Sequence, residues 1–256
     1  MRKGKTFKGG IHPPGHKELT SGKAVRKIAP PQEVVVPLQQ HIGAACQPLV
    51  KKGDIVNKGQ KIGDTDAFVS APVHAPISGV VKSVEALPHP SGCKIQAIVI
   101  ENDGEDRLDP SITPAGDLEA LDGATIKQLI REAGIVGLGG AAFPTHVKLN
   151  PPPDCKIHTL IINGCECEPY LTCDHRIMVE RPEDIVYGTR ALLKALGIDK
   201  AYIGIEVNKP DAITAMEKAI APYPNMEVVP LQIKYPQGAE KQLITAITGE
   251  EVSVGC

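Results

Sequence analysis

The stretch Lys156-Ile-His-Thr-Leu-Ile-Ile-Asn-Gly-Cys-Glu-Cys-Glu-Pro169 joins an apolar run to a polar loop and begins a repeating pattern. A short apolar run that ends in Asn and Gly is typical of a buried strand. Downstream, helix-like and strand-like segments alternate. This alternation predicts crossover connections and a parallel sheet with helices on its faces. The alternating segments are residues 156–164, 182–197, 200–207, 209–223, 225–235 and 238–249.

Local signals at the segment ends agree with this pattern. Pro182 suits the first turn of its helix, where its missing N–H would be unpaired anyway, and Gly197 suits a helix stop. Because an amphipathic helix at residues 125–134 precedes the first strand, we predict a Rossmann-like α/β domain over residues 124–256. Such sheets bind ligands beyond the carboxyl ends of their strands.

Residues 35–102 instead contain short β-rich runs separated by Gly, Pro and Asn-Lys-Gly. Short strands at close spacing predict a small all-β sandwich or barrel. Residues 50–64 and 69–84 resemble the halves of a biotinyl/lipoyl-type barrel-sandwich domain. Residues 64–72 between them contain no Lys, so we expect a structural or docking module and not a swinging-arm carrier. The predicted strands lie in residues 34–38, 54–64, 67–72, 79–85 and 94–101.

Two segments lack periodicity. Residues 1–34 are rich in Gly, Pro, Lys and His, and we predict an extended segment that lies on the body of the protein. A disordered tail is the alternative. Residues 103–123 are acidic and contain Pro and Gly, which predicts a linker.

Composition excludes several classes of protein. The 256 residues have a net charge of -2 and 3% aromatic residues with no Trp, which argues against nucleic-acid binding. No apolar run approaches the roughly 18 residues that span a bilayer, and the basic start has no apolar region after it. We therefore expect an intracellular protein whose seven cysteines are reduced thiols.

The loop Gly137-Leu-Gly-Gly-Ala-Ala-Phe-Pro-Thr-His-Val-Lys148 is the first candidate site. Gly137, Gly139 and Gly140 allow close approach of the backbone to an anion, and Lys148 offers a point charge for a phosphate. The match to G-x-G-x-x-A is weak because a helix, and not a strand, precedes it. A tight turn with no ligand remains the alternative.

The loop after the first α/β strand is the second candidate. Asn163 offers both a donor and an acceptor, and the neighbouring carboxylates of Glu166 and Glu168 could accept hydrogen bonds from ribose hydroxyls or a carboxamide. Two solvated loop acids are the alternative.

Cysteines are concentrated in the same region, at Cys165, Cys167 and Cys173, with His175 nearby. Metal and cluster sites favour C-x2-C spacing, which this group lacks. We therefore predict small buried thiols and no metal.

A third candidate lies between the last strand and the last helix, at Tyr235-Pro-Gln-Gly-Ala-Glu-Lys241. Gly238 near a helix start suits a phosphate or ribose at the positive end of the helix dipole. Glu240 in the first turn is alternatively a partner of that dipole.

Four strings occur in order: FKGGIHPP-x-HK from residue 7, GLGGAAFPTHVKL from residue 137, INGCECEPYLTCDHRIM from residue 162 and YPQGAEKQLI from residue 235. With these strings the chain resembles the RnfC family, which supplies one component of the Rnf ion-translocating complex, over essentially its whole length. From about residue 124 it also resembles the flavin-bearing component of respiratory complex I. That component has a similar Gly-rich loop, Asn-to-Glu-Pro loop and Gly-Glu turn.

The resemblance implies a non-covalently bound FMN that exchanges a hydride with NAD(H). It assigns the phosphate to the Gly-rich loop, the flavin ring and nicotinamide to the second loop, and the closing side to the third. Since the flavin performs the chemistry, we predict no catalytic base, only positioning groups. The implied cofactor-binding residues are Gly137, Gly139, Gly140, Phe143, Lys148, Asn163, Glu166, Glu168, Tyr235, Gly238 and Glu240.

Some positions depart from the complex I pattern. The flavin-bearing component usually has Arg where this chain has Leu138 and an acid where it has Cys165, and Ala239 replaces a common Gly or Glu. RnfC proteins also continue into ubiquitin-like and ferredoxin-like regions, and the latter carries [4Fe-4S] clusters. Because the chain stops at Cys256, we expect a truncated piece with no cluster and an incomplete FMN pocket.

The resemblance also implies partners: the other proteins of the Rnf complex, ferredoxin indirectly, and peripheral attachment to the cytoplasmic face of the bacterial inner membrane. A cobalamin-reductase-like flavoprotein of microcompartments is one alternative. A non-catalytic docking scaffold, which binds no flavin, is another.

Overall fold

The computed structural model describes residues 4–139 and 142–252. These form two compact units. The α/β unit contains the chain up to Arg26 together with the chain from Pro152 onward, and the β-rich unit is Lys27–Pro151. No helix in the described ranges has both the length and the apolarity to cross a membrane.

The β-rich unit contains two antiparallel sheets, with strand orders β1-β7-β6-β3 and β2-β4-β5. Its core is aliphatic and includes Leu38, Ile62 and Ile98, each at most 1% exposed. The two long strands pair over nearly their whole length, with a bulge between Val81 and Ser83. The strands are β1 Glu33–Pro37, β2 Gln47–Pro48, β3 Ile55–Val56, β4 Lys61–Asp64, β5 Val73–His74, β6 Gly79–Pro88 and β7 Lys94–Asn102.

The predicted strand at residues 67–72 is wrong, since this described segment has no ladder. Side chains hold it instead. The Ser70 hydroxyl donates to the Ala44 carbonyl at 3.0 Å, and the Ala71 N–H donates to Nε2 of His41 at 3.1 Å. Pro72 has no N–H to donate, so regular pairing begins only at β5.

Helices α1 (Gly123–Glu132) and α2 (Thr145–Lys148) fall within the β-rich unit. The guanidinium of Arg131 donates to both Asp64 carboxylate oxygens, at 2.9 and 3.3 Å. Lys61 pairs with both Asp64 and Glu132. These ion pairs attach α1 to the β-rich unit, whose last residue is Pro151, whereas the sequence predicted a domain limit at residue 124.

The predicted linker at residues 103–123 also lies along the β-rich unit. Lys58 donates its N–H to the Arg107 carbonyl at 2.8 Å, and Asp109 donates to the Lys58 carbonyl at 2.9 Å. The segment then forms a 3-10 turn, Leu118–Ala120, in which Leu118 is buried. Most of the other residues of the segment are exposed.

The α/β unit is built on the predicted parallel sheet, here of three described strands in the order β10-β9-β8. Ile203 and Ile205 of β9 are fully buried between helix-covered faces. Helix α3 was not predicted. The elements are β8 Thr159–Gly164, α3 Cys173–Glu180, α4 Pro182–Leu196, β9 Lys200–Glu206, α5 Pro210–Ile220, β10 Met226–Leu231 and α6 Glu240–Thr248.

The predicted limits of α4 are confirmed. Pro182 is in its first turn, and Gly197 ends it with a left-handed φ of 67°. The Gly197 N–H donates to the Lys194 carbonyl at 3.2 Å. This is the left-handed glycine stop that the sequence indicated.

The N-terminal segment lies along the open edge of β10. Lys5 donates its N–H to the Pro230 carbonyl and accepts from the Gln232 N–H, both at 2.9 Å. A Cβ at Gly4 would come within 2.5 Å of the Leu231 carbonyl carbon, so the close approach needs glycine there. At Gly4 and Lys5 the described chain is thus extended along the body of the α/β unit.

Candidate functional site

Two of the predicted loops meet at the carboxyl edge of the parallel sheet. Nδ2 of Asn163, at the end of β8, donates to the Gly238 carbonyl at 2.8 Å. Oδ1 of Asn163 accepts from the Cys165 N–H at 3.3 Å. A Cβ at Gly238 would lie 3.1 Å from Cβ of Cys165, so glycine allows this contact. The structure therefore brings Asn163 and Gly238 together, as expected for one site.

The segment 163–172, which we call the acid loop, bends sharply at Glu166. This residue has a φ of 53° and is only 6% exposed. Its Oε1 accepts from the Asp174 N–H at 2.7 Å and its Oε2 from the His175 N–H at 3.4 Å. The carboxylate therefore caps the first turn of α3, where unpaired N–H groups favour an anion.

Glu168 differs from Glu166 because it is exposed. Its backbone carbonyl is bound by Lys17, and its carboxylate has a 4.0 Å contact with the Cys167 thiol and no hydrogen bond from any other described residue. The two acids that the sequence placed side by side thus have different environments.

A lysine from the N-terminal segment holds the acid loop. Nζ of Lys17 donates to the carbonyls of Glu166 at 2.7 Å, Glu168 at 3.1 Å and Leu171 at 2.7 Å. Burial lowers the pKa of Lys17, and the nearby charge of Lys209 lowers it further. Lys17 was not among the predicted site residues, although it ends the quoted string FKGGIHPP-x-HK.

A second lysine lies under the loop. Nζ of Lys209 donates to the Cys165 carbonyl at 2.6 Å and to Oε2 of Glu206 at 3.0 Å, and both charged residues are 1% exposed. Oε1 of Glu206 has no hydrogen-bond partner among the described residues. Burial raises the pKa of Glu206, and Lys209 opposes that shift. No spacing rule signalled this pair, though both residues lie at the end of β9.

The thiols in and next to the acid loop fit the prediction of small buried groups in part. Cys165 is fully buried, Cys167 is half-buried and Cys173 is exposed. Burial raises the pKa of each of these thiols. They therefore remain protonated and weakly nucleophilic at neutral pH. Ligand atoms of Cys173, Asp174 and Glu166 lie within 4.8 Å of one another, but the Glu166 carboxylate already accepts backbone N–H groups.

The turn after β10 completes this edge of the sheet. Tyr235 is 38% exposed, and Glu240 is exposed in the first turn of α6. In the described chain no side chain caps the N-terminus of α6 at Ala239. Nε2 of the fully buried Gln237 likewise has no partner within residues 4–139 and 142–252. This edge therefore has unused hydrogen-bond donors.

The Gly-rich loop belongs to the β-rich unit and closes on itself. The Gly137 N–H donates to the Phe143 carbonyl at 2.9 Å. A Cβ at Gly139 would meet no described protein atom within 4 Å, so internal packing does not require glycine there. Lys148 is exposed at the end of α2. Gly140 lies outside the described residues.

A cavity of about 270 Å³ lies beside this loop, within the β-rich unit. Leu138 and Ala142 line it from the loop side, His74 from strand β5, and Gln40 from the segment after β1. Burial lowers the pKa of His74, which favours its neutral form. The cavity therefore offers neutral polar groups together with apolar surface.

Two known families match this chain, and one of them is a class of FMN-binding domains. The family described as "Nuo51 FMN-binding domain" matches residues 130–255. The family described as "RnfC Barrel sandwich hybrid domain" matches residues 5–105. The predicted order, a barrel-sandwich hybrid domain followed by an FMN-binding domain, is confirmed.

Two relatives extend the match over nearly all of the chain. The RnfC protein of the Na(+)-translocating ferredoxin:NAD(+) oxidoreductase complex of Acetobacterium woodii is 54% identical over 98% of this chain and 56% of its own length. The proton-translocating counterpart of Clostridium ljungdahlii is 50% identical over 98% and 55%. The chain belongs to the RnfC family, and it spans about half the length of these relatives.

Among solved structures, an air-oxidized NAD+-reducing [NiFe]-hydrogenase has a TM-score of 0.46 and 27% sequence identity. The match covers 54% of this chain and 26% of the hydrogenase chain. A TM-score at this level defines neither the fold nor the function.

Proposed function

We propose that this chain is the FMN- and NADH-binding part of a ferredoxin:NAD+ oxidoreductase complex. The supporting observation is the junction of Asn163 with Gly238 at the carboxyl edge of the parallel sheet, within residues that match an FMN-binding family. Parallel sheets bind their ligands at this edge.

The residues present fit an FMN. Gly139 lies where a Cβ would meet no described atom within 4 Å, which leaves space for the backbone to approach a phosphate. Gln237 and the uncapped start of α6 have unused donors for an anionic or carbonyl-bearing group. Bound FMN would supply hydride exchange with NAD(H).

The residues have distinct roles in this proposal. The backbone of Gly137, Gly139 and Gly140 approaches the phosphate, and Lys148 adds its ammonium charge. Phe143 offers a ring for stacking on a nucleotide base.

At the sheet edge, Asn163 and Gly238 support the flat ring, and Tyr235 and Glu240 close its far side. The exposed carboxylate of Glu168 accepts hydrogen bonds from a ribose or a carboxamide. Glu166 acts indirectly, because its carboxylate already binds the start of α3.

The proposed partners are those of the full-length protein. We infer that electrons leave through iron–sulfur clusters in a region beyond this chain and pass to ferredoxin through other proteins of the complex. The complex would hold this part at the cytoplasmic face of the cell membrane. The names of the relatives do not favour the alternative of a cobalamin-reductase-like flavoprotein.

A flavin titration tests the proposal and separates it from a docking scaffold. FMN added to this chain and to the full-length protein should be quenched in fluorescence at a ratio of one to one. Anaerobic NADH should then bleach the flavin absorbance. Lys148→Ala should weaken FMN binding roughly tenfold through loss of a charge-assisted contact, while the exposed control Lys52→Ala should not. Absence of flavin binding by both proteins would favour the scaffold.

A further inference from the structure

The acid loop has a backbone that its own sequence does not favour. Glu166 and Tyr170 have left-handed φ values of 53° and 70°, although neither is glycine. Non-glycine residues keep this conformation only where the surroundings impose it. The source of that constraint decides how the loop presents Asn163 and Glu168.

Lys17 provides much of the constraint. Its single ammonium donates hydrogen bonds to three loop carbonyls, those of Glu166, Glu168 and Leu171, at 2.7 to 3.1 Å. An ammonium has three N–H donors, so this coordination uses all of them. The carbonyls converge on one point.

Neighbours of Lys17 hold the same loop. The Tyr170 N–H donates to the Gly15 carbonyl at 2.7 Å. The His16 and Tyr170 rings stack at 4.9 Å with an interplanar angle of 17°. The hydroxyls of Thr20 and Thr172 are 2.6 Å apart. We call residues 15–20 the N-terminal clamp.

Lys209 binds the loop independently, through the Cys165 carbonyl. The ammonium groups of Lys17 and Lys209 thus donate hydrogen bonds to four carbonyls within residues 165–171. With those carbonyls occupied, the exposed carboxylate of Glu168 remains as a polar group of the loop that can bind a ligand.

We propose that Lys17 is a positioning residue for nucleotide binding: its ammonium gathers the carbonyls of the acid loop and presets the loop for NADH. This inference rests on the proposed function of the site. Lys17 acts through the loop and touches no substrate. The role belongs to the N-terminal segment, which lies far from the loop in the sequence.

The test uses Lys17→Met, which keeps side-chain length but removes the charge, with Lys17→Arg as the conservative variant. Lys23→Met is the matched control, because Lys23 is exposed and follows the clamp. Hydrogen exchange of the ligand-free chain reports the loop directly. Lys17→Met should speed exchange of amides in residues 163–172 about tenfold, with the amides of α5 unchanged.

The second readout is NADH reduction of the FMN-loaded full-length protein. The NADH concentration at half-maximal rate should rise about tenfold in Lys17→Met, with the limiting rate within about twofold. Lys17→Arg should recover part of the loss, and Lys23→Met should match wild type. General unfolding would instead change α5 exchange and both kinetic constants.

The possible results distinguish a failure of this inference from a failure of the proposed function. If wild type reacts with NADH and Lys17→Met reacts with an unchanged NADH dependence, the positioning role is wrong, whatever the exchange data show. If wild type binds neither nucleotide, the proposed function fails and the positioning role fails with it. The exchange data would then report only whether Lys17 holds the loop.

Discussion

The acid loop and the Gly-rich loop are both proposed to bind the cofactor, but they are held in different ways. Two lysines and a helix cap bind the acid loop from within the α/β unit. The Gly-rich loop has its visible support at its base, where Gly137 bonds to Phe143 and Arg131 of α1 bonds to Asp64. The protein itself therefore shapes the acid loop, whereas in the other loop a Cβ at Gly139 would meet no described atom within 4 Å.

The largest effect should come from the cation under the acid loop. Lys209→Met leaves Glu206 as a buried unpaired acid, and removing one partner of a buried pair costs about 3–5 kcal/mol. Urea unfolding measures the loss. In the control, Lys200→Met breaks a pair with Glu227 that is 39% and 56% exposed, so it should cost less than about 1 kcal/mol. Equal losses would mean that the loop does not depend on its buried cation.

A second test addresses the base of the Gly-rich loop. Burial alone would raise the pKa of Asp64, but hydrogen bonds from Arg131, Thr65 and Lys61 outweigh it and lower that pKa below 3.8. Its contribution to stability is therefore present above the unfolded value and is lost as pH falls through the folded pKa. Asp64→Asn should cost about 1–3 kcal/mol at pH 7.

Unfolding free energies at pH 7 and at about pH 2 check this prediction, because the difference between Asp64→Asn and wild type should shrink in acid. Asp66→Asn changes an exposed neighbour and should alter stability by less than about 0.5 kcal/mol. A gap that persists undiminished in acid would show that the carboxylate charge is not what anchors α1.

Gly139→Ala tests whether the backbone at this position approaches the cofactor. Since a Cβ there meets no described atom within 4 Å, the free energy of unfolding should change by no more than about 1 kcal/mol. FMN affinity should fall roughly tenfold, or about 1.4 kcal/mol. Gly188→Ala, in α4 and also unobstructed, should leave FMN affinity unchanged. FMN affinity that survives Gly139→Ala would remove this glycine from the cofactor site.

The smallest effect should separate the two acids of the acid loop. Glu166→Gln weakens the cap of α3 and should cost about 1 kcal/mol. Glu168→Gln should leave unfolding unchanged and raise the NADH concentration needed for half-maximal flavin reduction. Denaturant unfolding and stopped-flow reduction make the comparison. The reverse pattern would exchange the roles assigned to the two residues.

Prediction from sequence succeeded where the signal was local. The parallel sheet and the limits of α4 follow from apolar runs, Pro182 and Gly197. Helix α3 was missed because it has only eight residues and its first turn is capped by Glu166, which lies outside it. The strand predicted at residues 67–72 failed because the side chains of two distant histidines bind its backbone, at Phe68 and at Ala71.

The site residues likewise divide into those with a local signal in the sequence and those without one. Asn163 could be predicted because it lies at a strand end and Gly238 because it precedes a helix start, and the loops after parallel strands meet at one edge of the sheet. Lys17 and Lys209 carry no signal in their spacing, since the carbonyls they bind come from a loop that is distant in the sequence in each case.

Element order, the strand-end loops and membership of the RnfC family are readable from the chain alone, because they depend on periodicity and on short strings of residues. The separate roles of Glu166 and Glu168, the clamp at Lys17 and the buried pair under the loop arise only on folding. They depend on which carbonyls and N–H groups come together in three dimensions, and hydrogen bonds between distant segments leave no periodic trace in a sequence.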